Sequence, residues 1–391
     1  MIWGRGLRAF GDGFVSLLLP VYLTALGFNA FAVGALTAAT LLGSAVLSLL
    51  VGFTAHRFRR RALLVGAALL MVATGLGFTL ETRFWPLLVI AFIGTLNPSS
   101  GDVSVFLPLE QALLAETVSD RSRTGVFAVY SLVGSLVAAA GSLAAGLPEI
   151  LRDVMAAGLV TSLQAMFALY ALLGLATFYL YRRLPDRIDR GPSTKAQPLG
   201  PSRRVVMQLA ALFSLDAFGG GLIVQTLLAL WLFDRFGLSL AAAGTIFFWS
   251  GVLSAGSYLA AARISRRIGL INTMVFTHLP SNICLILVPL MPNLYLAVAL
   301  LLARSALSQM DVPTRGSYVM AIVTPAERAA AASVTSVPRS LAAALSPILA
   351  GYLLTLSPFG WPLIVAGALK AIYDVLLLTF FQQHRPPEEK A

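Results

Sequence analysis

Six acidic and four basic side chains fall inside stretches otherwise apolar enough for a lipid bilayer. They are Asp12, Asp102, Glu110, Asp216, Asp311 and Asp374 against Arg304, Arg315, Arg339 and Lys370. A charge at that depth is costly unless it faces a partner or a wet cavity, so these residues are the candidates for function. The chemistry open to them is reversible binding. A carboxylate takes up a proton or a cation, and a guanidinium holds an anion through paired N–H donors. The acids in this set outnumber the bases by two. One or two carboxylates are therefore expected to be protonated or to await a cation.

Spacing sharpens the set. Arg304, Ser308, Asp311 and Arg315 recur at intervals of 4, 3 and 4, which puts them on one stripe of a helix. Asp311 can pair with Arg315 within that stripe, which leaves Arg304 uncompensated and free for Asp216, Asp102 or an anionic substrate. Arg339 follows Pro338 and is a second anion ligand by type. Lys370 and Asp374 stand four apart and are expected to neutralise each other. Asp12 lies in Phe10-Gly11-Asp12-Gly13-Phe14, and Asp216 lies just before Gly219-Gly220-Gly221. Glycine near each carboxylate points to close packing or a local bend. For Asp12 the bland alternative is pairing with a loop arginine. Asn97-Pro98-Ser99-Ser100-Gly101-Asp102 and Pro108-Leu109-Glu110 share one apolar run, so a kinked helix with freed carbonyls beside Asp102 is expected there. Asp102 and Glu110 sit about 80° apart on an ideal helix and need not face one cavity. Tyr130 and Gln225 are further cavity polars by type.

The elements that must position these residues follow from composition. The chain has 391 residues, 58% hydrophobic and 12% charged, with a mean hydropathy of +0.84. Soluble domains carry about a quarter charged residues, so a soluble enzyme, a disordered chain and a disulfide scaffold are excluded. A spanning helix needs about 20 apolar residues. That template fits twelve times, at 7–27, 31–55, 62–80, 85–115, 124–147, 158–181, 205–233, 239–262, 270–291, 293–323, 329–356 and 361–381. The first run holds Asp12 and Pro20 and no small-residue cleavage site follows it, so it reads as a retained helix.

The net charge of +11 is a topology signal. With both termini in the cytoplasm, inside segments hold 21 Lys and Arg residues, Arg5 and Arg8 among them. Outside loops hold only Arg83, Arg152 and Arg235. No nucleic-acid partner is implied. One cysteine, Cys284, and three scattered histidines, His56, His278 and His384, give no metal-ligand spacing, and no cofactor is called for. Residues 182–204 hold four prolines, two glycines and nine charges, which reads as a cytoplasmic linker between a half at 1–181 and a half at 205–391. The halves echo each other. Gly27-Phe28 and Gly34 match Gly237-Leu238 and Gly244 at an offset of 210, and Asp120-Arg121 matches Glu327-Arg328 at 207. Duplication is the economical reading.

Taken together, these features resemble the major facilitator superfamily. The loop after the second span carries the most specific match. The family pattern is Gly-x-x-x-Asp-Arg-x-Gly-Arg-Arg/Lys. Here Gly52, Arg57, Arg60 and Arg61 fit, with His56 at the Asp position and Arg59 at the second Gly. In the family that Asp latches the outward-facing state, a role His56 does not supply. The Gly-Pro-rich fifth-helix motif of drug/proton antiporters is missing, since Gly134 to Gly146 contains no proline. The resemblance implies an all-α integral membrane fold of twelve helices in two six-helix pseudo-repeats. It also implies that spans one and seven line a central cavity and that span twelve is peripheral. By the same resemblance the chain is a secondary transporter, not an enzyme. It moves a small organic molecule by alternating access, without ATP, as a monomer in the cell (inner) membrane. Proton-coupled efflux through Asp102, Glu110 or Asp216 is the leading expectation. The alternatives are uptake of an organic anion with protons through Arg304 and Arg339, or a non-transporting sensor or assembly protein on the same fold.

Overall fold

The computed structural model describes residues 1–54, 58–99, 105–117, 120–184, 199–324 and 327–382. His56, Arg57 and Asp102, named above as candidates, lie outside them. Every regular element among the described residues is helical. The chain runs α1 (Ile2–Ala25), α2 (Ala30–Thr54), α3 (Arg60–Leu80), α4 (Phe84–Ile93), α5 (Phe106–Thr117), α6 (Asp120–Leu143), α7 (Leu147–Met155) and α8 (Leu159–Arg182). It continues as α9 (Arg203–Gly221), α10 (Gln225–Phe236), α11 (Leu240–Ile268), α12 (Leu270–Leu287), α13 (Leu294–Ser308), α14 (Asp311–Ile322), α15 (Arg328–Leu356) and α16 (Trp361–Phe381). Eleven stretches among the described residues are long and apolar enough to cross a bilayer, and α4 adds a shorter apolar helix.

Three of the expected spans are broken rather than continuous. Run 85–115 becomes α4 and α5, with no helix across Gly94–Ser99. Run 205–233 becomes α9 and α10, parted at Leu222–Val224 just after the three glycines. Run 293–323 becomes α13 and α14, parted at Gln309 and Met310, with Pro313 in the first turn of α14, where its missing N–H costs nothing. In a bilayer a break is tolerated only if its backbone groups find partners inside the protein. At the first break they do. The Tyr170 hydroxyl donates to the Thr95 carbonyl at 3.0 Å, and the Thr95 N–H donates to Thr74 Oγ1 at 3.3 Å. The Pro98 carbonyl accepts from the Thr226 N–H and hydroxyl, both at 3.2 Å.

Two compact units account for the packing. One comprises Met1–Ser193 with Val224–Gly251, the other Thr194–Ile223 with Val252–Ala391. In the first, α1 packs on α6 and α8, and α3 packs on α8. In the second, α9 packs on α15 and α16, and α12 packs on α16. The same pairs of spans recur, as duplication predicts. Close helix approach depends on small residues, because lipid gives no hydrophobic drive between helices. Any side chain at Gly13 would overlap the Ala138 carbonyl, and any at Gly141 the Phe10 carbonyl, so α1 and α6 meet backbone to backbone.

At the start of the second unit, Glu327 ties the stretch before α9 to the turn before α15. Its carboxylate accepts from the Gly200 N–H, from the Ser202 hydroxyl at 2.8 Å and from the Thr324 hydroxyl at 2.8 Å. Those donors hold its pKa down to about 2. A lowered carboxylate pKa stabilises the folded state above the ordinary value of 4.5, and the contribution fades as pH falls toward about 2. Glu327→Gln is therefore expected to speed hydrogen exchange at Gly200–Arg203 at pH 7, with the difference from the parent chain shrinking at pH 3. Equal exchange at pH 7 would show that the tie is idle.

Candidate functional site

The second unit buries a cluster of charges built from four helices. Asp216, on α9 three residues before the glycine run, is its hub. Its Oδ1 accepts from Lys370 Nζ of α16 at 2.5 Å, and its Oδ2 from Arg315 Nη2 of α14 at 2.7 Å. Arg315 Nη2 also binds Asp311 one turn earlier on the same helix. The guanidinium lies 5.0 Å from the Phe213 ring centroid and 5.8 Å from that of Tyr373, which supplies cation–π support in a dry setting. His278 of α12 completes the group. Its Nδ1 lies 2.9 and 3.1 Å from the two oxygens of Asp374, and its Nε2 lies 3.8 Å from Asp216 Oδ1. Asn282, one turn along α12, donates to Asp374 Oδ2 at 2.8 Å. Asp216 is 4% exposed, His278 3% and Asp374 0%, so water does not screen these contacts.

Two more arginines belong to the same unit. Arg304 of α13 is within electrostatic reach of Asp216, and Arg339 of α15 within reach of Arg315, Asp216 and Asp311. The cluster thus sets Arg315, Lys370 and the half-buried Arg304 against Asp216, Asp311 and Asp374, a balanced set with His278 neutral, and Arg339, exposed on α15, adds one positive charge at its edge. Several of its donors are unsatisfied. Arg304 Nε, Arg315 Nε and Nη1, Ser308 Oγ and Tyr373 Oη are buried without a hydrogen-bond partner among the described residues. Buried polar groups are nearly always paired, so these orphaned donors beside cationic side chains are suited to hold an anion.

The first unit holds its own buried pair. Arg8 of α1 grips Glu110 of α5 through Nη1 to Oε1 at 3.2 Å and Nη2 to Oε2 at 2.5 Å. The Tyr130 hydroxyl donates to Oε2 at 2.5 Å, and the Tyr181 hydroxyl donates to Oε1. The Arg8 guanidinium also stacks 4.1 Å from the Phe106 ring centroid. Asp12 accepts from Asn97 Nδ2 at 3.4 Å, which links α1 to the break between α4 and α5.

Several sequence expectations change here. Lys370 and Asp374 do not neutralise each other. A salt bridge to Asp216 and a hydrogen-bonded contact to His278 win, because those partners sit on facing helices with short, direct geometry. Arg5 and Arg8 are not loop bases. Helix α1 starts at Ile2, and both are buried, at 8% and 3% exposure. Counting them removes the expected surplus of buried acids. Arg315 pairs with Asp311 as the spacing implied, and with Asp216 as well. Glu110, expected as a proton site, is instead paired with Arg8. Gly52 lies on α2, and Arg60 and Arg61 open α3, where Arg61 donates to the Arg182 carbonyl. Sequence reasoning passed over His278, Asn282, Tyr181 and Tyr373. A histidine inside an apolar run was a signal of the same kind as the buried acids, but a neutral residue drops out of a charge count.

Comparison with known proteins agrees with this architecture. An uncharacterized membrane protein of Saccharomyces cerevisiae, YJR124C, is 26% identical over 411 residues, spanning 96% of this chain and 92% of the yeast protein. Among solved structures, a variant of the nucleoside transporter NupG superposes with a TM-score of 0.76 at 12% identity, over 97% of this chain and 98% of that one. The human organic anion transporter MFSD10 superposes with a TM-score of 0.66 at 18% identity, over 96% and 97%. At such identities these likenesses show a shared fold. The sequence profile of the Major Facilitator Superfamily matches residues 1–312, and the chain belongs to that family of membrane transporters.

Proposed function

We propose that this protein is a secondary active transporter that moves a small organic anion together with protons, by alternating access, in the cell membrane. The carrying observation is the buried cluster of the second unit. Its three acids are matched by Arg304, Arg315 and Lys370 with the exposed Arg339 beside them, and Arg304 and Arg315 present N–H groups with no partner among the described residues. A small molecule bearing a carboxylate, sulfonate or phosphate supplies the missing acceptors. Both termini face the cytoplasm, on the distribution of bases along the chain. Burial of an anion beside ionisable groups ties its binding to proton occupancy, and import is the direction in which a proton gradient accumulates an anion. Counting Arg5 and Arg8, the bases within the apolar stretches equal the acids in number.

The test is uptake into proteoliposomes of a panel of labelled mono- and dicarboxylates, organophosphates, sulfonates and, as controls, organic cations. An acidic exterior is expected to drive accumulation of one anion class, and a protonophore is expected to abolish it. Arg304→Gln is expected to weaken that anion's apparent affinity roughly tenfold or more, the worth of one hydrogen bond to a charged group. Transport of cations alone, or anion transport that ignores the pH gradient, would overturn the reading.

A further inference from the structure

We propose that His278 is a proton-binding site of this protein, set so that proton uptake on its Nε2 loosens Lys370 from Asp216 and readies the cluster for an anion. The coupling part rests on the anion reading above. The proton site itself does not.

With Asp374 ionised, the geometry selects one tautomer. Its oxygens lie 2.9 and 3.1 Å from Nδ1 and only accept, so Nδ1 carries the hydrogen, while Asn282 Nδ2, 3.2 Å from Nδ1, donates to Asp374 Oδ2 at 2.8 Å. Neutral His278 then has a bare Nε2, and that nitrogen faces Asp216 Oδ1 at 3.8 Å. Two acceptors facing each other leave a place for one proton. The same oxygen already holds Lys370 Nζ at 2.5 Å. A proton arriving on Nε2 makes an imidazolium whose two N–H groups point at two carboxylates, and Nε2–H competes with Lys370 for Oδ1. No covalent bond between heavy atoms changes. One proton leaves water, and one positive charge joins the site.

The charged groups of the cluster among the described residues can be named, Arg339 of α15 being the one at its edge. Helix α16 contributes Asp374, Lys370 and Tyr373, whose ring meets the imidazole edge-on at 6.0 Å. Helix α9 contributes Asp216, α14 contributes Asp311 and Arg315, and α13 contributes Arg304. On α12 itself the other titratable group is Cys284. With His278 neutral, the three acids balance Arg304, Arg315 and Lys370, and the exposed Arg339 adds one positive charge at the edge. Protonation leaves one positive charge unbalanced inside the cluster. An unbalanced buried positive charge is expensive without an anion, and an anion is held more tightly with it. Each ligand therefore favours the other, and the linkage is reciprocal.

The experiment uses the full chain in lipid nanodiscs, with His56→Gln and His384→Gln leaving His278 as the single histidine. Imidazole signals are followed by nitrogen-15 NMR from pH 5 to 9, with and without each anion of the panel. Anion affinity is measured over the same range by intrinsic fluorescence. The ring is expected to take up one proton within that range, at higher pH with anion bound. Affinity is expected to fall up to tenfold per pH unit above the midpoint, as one linked proton requires, and His278→Gln is expected to flatten the slope. A ring that stays in one protonation state throughout overturns the proton site. An unchanged affinity slope in His278→Gln overturns the coupling of that proton to the anion. Should that variant fail to fold, the ring titration decides. If the ring titrates but no anion binds at any pH, the proton site stands, and both the anion reading and the coupling fall.

Discussion

Replacing Asp216 with asparagine is expected to cost about 3–5 kcal/mol of stability, the usual penalty for stranding buried charge by removing one partner. Asp216 is the point where three cationic or protonatable groups converge. Asparagine keeps one oxygen and turns the other into a donor that faces a cation. Arg315 retains Asp311. Lys370 retains only the Asp216 backbone carbonyl at 3.4 Å, a poor substitute for a carboxylate at 2.5 Å. Most of the loss therefore falls on Lys370, and removing that charge should recover much of it. The double variant Asp216→Asn/Lys370→Met is expected to be more stable than Asp216→Asn alone, although each single change removes native contacts. Thermal or denaturant unfolding in detergent, followed through the five tryptophans, reads this directly. If the two losses simply add, Lys370 does not depend on Asp216 for its burial and the hub description is wrong.

The same cluster shows what the sequence could and could not disclose. Fold class was open to reading because a bilayer imposes lengths, and apolar runs of the right length are counted without knowing their neighbours. The broken spans were legible only in part. Pro98 and Gly101 signalled a disturbed helix, but the partners that make a full break tolerable, Thr74, Tyr170 and Thr226, come from other helices. Within-helix pairing was legible where it was local, as for Asp311 and Arg315. It misled for Lys370 and Asp374, because an i,i+4 pair gains only about 0.2–0.5 kcal/mol on a helix surface and a facing carboxylate or imidazole easily outweighs it. Arg5 and Arg8 were misplaced for a related reason. An arginine near a chain end reads as a topology signal unless one knows that Glu110, Tyr130 and Phe106 surround it. Duplication adds something neither half reveals alone. Arg8 and Glu110 lie on the first and fourth spans, and Asp216 and Arg315 on the seventh and tenth. The two ion pairs hold corresponding places with their signs exchanged, so the duplicated scaffold has kept the pairing and reversed its polarity.

That reversal makes the Arg8–Glu110 pair the sharpest test of how this fold handles a buried charge. Arg8→Met is expected to destabilise the protein by about 3–5 kcal/mol, because Glu110 is fully buried and would keep only the two tyrosine donors. Arg8→Lys is expected to recover little. A lysine cannot reproduce the two-pronged contact at 3.2 and 2.5 Å, nor lie flat on Phe106 at 4.1 Å. Glu110→Gln should be costly for the mirror reason, since it strands the Arg8 guanidinium at 3% exposure. The double variant Arg8→Met/Glu110→Leu removes both charges with roughly matched volume, and buried ion pairs are often replaced this way at little cost. It is therefore expected to be far more stable than Arg8→Met, with a coupling energy of about 1–3 kcal/mol after the orphaned Tyr130 and Tyr181 hydroxyls are taken into account. Unfolding midpoints of the four chains measure that coupling. If the double variant is as stable as the parent but no longer transports, the pair is retained for the working cycle and not for the fold. If its loss equals the sum of the single losses, Arg8 and Glu110 are held by their other neighbours and the ion pair between them is incidental.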